Sequence, residues 1–87
     1  MDAQQKELLR LALLRVMDAN KTGRGLGPVA LKSLIGTYAA TASVEEIAIE
    51  LSYLADKEMV ASVDKRISPE LTAWRITATG RDFIAQN

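Results

Sequence analysis

The chain has 87 residues, of which 48% are hydrophobic and 25% charged, a globular balance and not that of a disordered chain. A chain this short makes one domain and buries only about 60–65% of its unfolded surface, so nearly every apolar stripe must be used. With no cysteine and no histidine, a disulfide framework, a thiolate metal site and the commonest general base are excluded. Eleven basic and eleven acidic residues cancel to zero, whereas nucleic-acid-binding domains usually carry an excess of Lys and Arg; a local patch would have to supply what the total lacks. The longest apolar run, "LALL", is far short of the roughly 20 residues that span a bilayer, and "MDAQQKELL" has no basic segment ahead of an apolar core. A cytoplasmic protein without a membrane segment is expected.

Ala3 to Ala19 reads as a first helix, rich in leucine and free of Gly and Pro. On a helical wheel Leu8, Leu9, Ala12, Leu13 and Val16 form a core stripe. Leu11, Leu14 and Met17 fall on the other side, among Glu7, Arg10 and Asp18, which predicts leftover apolar surface. "NKTGRGLGP" then breaks the helix. Its three glycines resemble a phosphate-cradling loop, but no strand precedes them and the Lys-Ser/Thr ending is missing, so a plain connector is expected. Pro28 opens a second helix, predicted to reach Tyr38 with Leu31, Leu34, Ile35 and Tyr38 on one face.

Ser43 followed three residues later by Glu46 is a capping box, and it starts a third helix from Val44 to about Lys57. The inner stripe of that helix is Val44, Ile47, Ala48, Leu51, Leu54 and Ala55. "MVASVDK" and "LTAWRIT" are β-prone runs joined by "RISPE", which predicts a two-stranded hairpin with Trp74 and Ile76 facing inward. Thr77 caps a last helix containing Arg81, Phe83 and Ile84.

Three helices, a hairpin and a short closing helix, an α+β order, resemble a winged helix-turn-helix domain over essentially the whole chain. "LSYLADKEMVAS" is similar to the end of a recognition helix entering the first wing strand. "WRITATGRDFI" is similar to the last wing strand and its exit into the closing helix, with Gly80 allowing close packing. More narrowly, the chain resembles MarR- and PadR-like bacterial regulators and small winged-helix proteins of Mu-like bacteriophages. One position departs from that pattern: Glu58 stands where the family places a glycine in the left-handed conformation. A non-glycine there costs about 1 kcal/mol, so a differently closed helix end is expected.

The resemblance implies a DNA-binding transcriptional regulator, with the third helix in the major groove of double-stranded DNA and the wing on phosphates. The outward face of that helix is acidic and apolar: Glu45, Glu46, Ile49, Ser52, Tyr53, Asp56 and Lys57. Phosphate contacts are therefore expected from Lys21, Arg24 and Lys32 around the glycine loop, from Lys65, Arg66 and Arg75 on the wing, and from the helix N-terminus at Thr41 and Ser43. The rival expectation is a protein partner docked on Ile49 and Tyr53 within their acidic rim. A homodimer through Leu11, Leu14 and Met17 of the first helix is the second contact expected, with packing on Phe83 or Ile84 as the alternative. Glu46 and Glu50, one turn apart, read as a solvated helix face and not as a metal or acid/base pair, so neither an enzyme nor a cofactor is expected.

Overall fold

The computed structural model describes residues 2–20, 24–36, 41–64 and 67–86. Its order is α1 (Ala3–Ala19), α2 (Pro28–Ile35), α3 (Val44–Asp56), β1 (Val60–Asp64), β2 (Ala73–Ile76) and α4 (Ala78–Ala85), with a 3-10 turn at Pro69–Leu71 between the strands. This is an α+β architecture of four helices and a two-stranded antiparallel hairpin. No helix among the described residues is long and apolar enough to cross a membrane.

α1 begins where expected, through a device the sequence reading missed. The Asp2 carboxylate accepts from the Gln5 amide at 2.8 Å and the Gln5 side chain accepts from the Asp2 amide at 3.1 Å, a full capping box. The expectation that α1 keeps one open apolar side is corrected. Leu14 and Met17 are buried with Leu9, Ala12 and Leu13, while Leu8, placed in the core stripe, is exposed. The cause is topological: α2, α3, α4 and β2 all pack on α1, so its covered arc is wider than one stripe. Phe83 and Ile84 of α4 are half-buried against the same core.

Pro28 occupies the first position of α2 after Gly27, as predicted. The helix ends at Ile35, Leu34 is exposed and not on the inner face, and Tyr38 lies outside the described residues. α3 carries the predicted Ser43–Glu46 box and buries Ile47, Ala48, Leu51 and Leu54. Burial of Ile47, Leu51 and Leu54 contributes about 2 kcal/mol each.

The expectation of a differently closed α3 terminus is corrected as well. Glu58 itself takes the left-handed conformation, with φ of 62°. The Glu58 amide donates to the Ala55 carbonyl and the Met59 amide to the Leu54 carbonyl, each at 2.9 Å, the paired bonds of a Schellman ending. The chain thus makes the turn a glycine would make and carries the strain of a side chain there.

In the hairpin Val60 faces Ile76, Ala61 faces Arg75 and Ser62 faces Trp74, with the register shifting between Ser62 and Asp64. Trp74 and Ile76 point into the core as expected. The glycine loop is more than a connector. Leu26 and Trp74 exchange both backbone bonds, at 2.7 and 2.9 Å, so the loop adds a single-residue third strand to β2. Gly25 permits this with φ of 73°, and an added Cβ would stand 2.8 Å from the Trp74 carbonyl oxygen.

The strand-to-helix junction rests on Thr77 and Gly80. The Thr77 hydroxyl accepts from the Gly80 amide at 3.2 Å, capping α4, and donates to the Glu58 carbonyl at 2.6 Å. The Thr77 amide donates to the Met59 carbonyl at 3.0 Å. One residue therefore ties the start of α4 to the end of α3.

Candidate interaction surfaces

The outward side of α3 is built by the same periodicity that buries Leu51 and Leu54. Ile49 is 58% exposed and stands as a ridge between two shallow depressions. One depression is lined by Glu45, Ser52 and Glu70, the other by Lys6, Glu46 and Glu50. Glu70 comes from the 3-10 turn, which packs against α3 and carries the exposed Leu71 beside it. Sequence reasoning missed Glu70 and Leu71 because they lie in a connection that no helical wheel covers. Glu46 is committed locally: the Ser43 amide donates to its carboxylate at 2.9 Å, the Ser43 hydroxyl accepts from the Glu46 amide at 3.1 Å, and the bonding to Ser43 holds the Glu46 pKa below the ordinary glutamate value.

Glu50 is corrected from a solvated residue to a buried one. It is 5% exposed and pairs with Arg10 Nε at 2.5 Å. Arg10 also bonds Glu7 at 2.8 Å and lies 3.7 Å from the Tyr53 ring centroid. Burial works against the charged guanidinium, but bonding to Glu50 and Glu7 outweighs it and raises the Arg10 pKa above its ordinary value. Tyr53 remains partly exposed, yet one ring face is occupied by Arg10, with Lys57 5.7 Å away. The cluster locks α1 to α3 and takes Glu50 out of the acidic surface.

The expected phosphate contacts are distributed as follows. Arg24 and Arg75 are exposed. The Lys32 ammonium donates to the Ala42 carbonyl, tying α2 to the start of α3. Thr41 is exposed, and the Ser43 side chain is used by its own capping box. Lys21, Lys65 and Arg66 lie outside the described residues. Arg75 instead lines the same cleft as Arg81, which sequence reasoning placed only in the closing helix. The two border a cleft of about 220 Å³ between the glycine loop, β2 and α4, with Met17, Leu26, Trp74 and Ile76 among its lining.

With Leu14 and Met17 buried, the apolar surface left on α1 is Leu8 and the half-covered Leu11. Both border a groove of about 330 Å³ that continues over Leu14, Tyr53, Met59 and Phe83. A dimer through α1 would therefore use Leu8 and Leu11 and not the trio expected from the wheel. No family model, no curated protein and no solved structure matches this chain.

Proposed function

We propose that the chain is a winged-helix module in which α2 and α3 form the helix-turn-helix pair, β1 and β2 the wing, and the outward face of α3 a protein-docking surface. The observation carrying this reading is the make-up of that face. Ile49 is an exposed apolar group, Glu45 and Glu70 line the depression beside it, and Glu46 and Asp56 add negative charge. Among the described residues Lys6, Lys32 and Lys57 stand at its margin, Lys32 being held on the Ala42 carbonyl. An apolar centre with a charged rim suits a protein partner, whereas the same carboxylates facing phosphates would weaken DNA binding. The test is capture of a partner from an extract of the source cells by the wild type and by Ile49→Asp. Loss of a specific partner in the variant is expected; identical capture by both removes the role assigned to this face.

A second reading, a DNA-binding regulator of a bacterium or phage, is favoured by the exposed Arg24 and Arg75 with Arg81 nearby. In that mode the duplex is held mainly through its phosphates. A shift assay on random duplex at increasing salt tests it: affinity falling steeply with salt supports the reading, and no complex at low salt excludes it.

A further inference from the structure

The two surfaces described above are opposite in chemistry and share no residue. The α3 face is a ridge, Ile49, between one depression bordered by Glu45 and Glu70 and another bordered by Glu46 and Lys6. The β2–α4 cleft is a recess with an apolar lining and two exposed arginines at its border, with exposed Arg24 preceding Gly25 of the same loop. The recess has a volume of about 220 Å³, enough space for an apolar side chain to enter it.

We propose that the occupant of the α3 face is the β2–α4 cleft of a second copy of this chain, with Ile49 entering the recess between Arg75 and Arg81, and with Glu45 and Glu70 meeting those arginines. The inference rests on the docking reading above and adds its partner. Because the two halves of the contact are different patches, two copies can satisfy both halves at once about a two-fold axis, each ridge in the other's cleft, or only one half per pair, in which case each added copy presents a fresh ridge and a fresh cleft. The assembly is therefore a reciprocal two-fold dimer or a head-to-tail ring or chain. Charge zero overall is compatible with this, since the attraction comes from the separation of the charges and not from their sum.

Sedimentation velocity over a concentration series, at low and high salt, tests the proposal. The wild type is expected to self-associate as concentration rises and to dissociate as salt rises. Ile49→Asp, and separately the pair Arg75→Glu with Arg81→Glu, should each weaken association at least about tenfold. All three positions are exposed, and a thermal melt checks that each variant is folded. The decisive sample is the mixture of the two variants, because each retains the half that the other lacks. It is expected to form a 1:1 complex and stop there. A wild type that stays monomeric, a two-fold dimer unaffected by either change, or a silent mixture from a self-associating wild type overturns the proposal. A monomeric wild type that still captures another protein through Ile49 removes self-assembly and leaves docking; one that captures nothing removes both.

Discussion

Replacing Gly80 by alanine separates two opposed effects, and their sign decides whether the β2–α4 junction is packed as described. Gly80 is the third residue of α4, and alanine in a helix is favoured over glycine by about 1 kcal/mol. On propensity alone the variant is more stable. An added Cβ, however, would stand 2.3 Å from the Met59 carbonyl oxygen and 2.8 Å from Ile76 Cγ1. The nearer obstacle is backbone, and that carbonyl accepts the Thr77 amide at 3.0 Å, so it cannot withdraw without breaking the bond that ties α4 to the α3 terminus. Overpacking costs about 1–3 kcal/mol and the strained or lost bond about 1–2 kcal/mol more, which together exceed the propensity gain. Net destabilisation of about 1–4 kcal/mol is expected, with a fall in Tm on the order of 5–30 °C for a domain of this size. Urea denaturation with a thermal melt measures it. A Gly80→Ala protein as stable as the wild type, or more so, would refute the packing of Thr77 and Gly80 on which the argument stands.

Glu58→Gly should raise stability by about 0.5–1 kcal/mol in the same urea assay, because glycine adopts φ of 62° without the Cβ penalty while losing some chain entropy. Arg10→Met alone should cost about 2–4 kcal/mol by leaving Glu50 buried without its partner, whereas Arg10→Met with Glu50→Leu should lie within about 1 kcal/mol of the wild type; additive costs in the double-mutant cycle would deny the coupling. The lowered pKa of Glu46 has a definite sign: its contribution is present above the ordinary glutamate range and is lost as pH falls through the lower folded-state value. Glu46→Gln, which can still cap Ser43, should flatten that acid limb in denaturation curves taken across the range, and an unchanged pH profile would place the acid sensitivity elsewhere.

The elements legible in the sequence were those set by local chemistry. Ser43 with Glu46, Pro28 after Gly27, Thr77 before Ala78 and the alternation around Trp74 all act within a few residues, and each occurs where the pattern placed it. What was not legible depends on residues far apart in the chain. Leu14 and Met17 looked uncovered because a wheel assumes one packing direction, and α1 is packed from several. Glu50 looked solvated because its partner, Arg10, lies 40 positions away. Leu26 gave no strand signal, since a single bridging residue has no period to read, and Glu70 reaches the α3 face from a connection between strands.

The buried Arg10–Glu50 pair also changes how the charge of the chain is to be counted. A pair that neutralises itself between α1 and α3 adds nothing to either outer face, so the groups available to a partner are those left on the rims. On α3 these are Glu45 and Asp56, with Glu46 held in its cap and Glu70 contributed by the turn; at the cleft they are Arg75 and Arg81. The composition therefore understates the polarity of the molecule, because it sums two oppositely charged surfaces that no partner meets together. A ligand approaching α3 meets carboxylates around Ile49, and one approaching β2 and α4 meets arginines around an apolar recess. Affinity at either face is set by that local arrangement, which is why a chain of zero net charge can still bind through complementary charge.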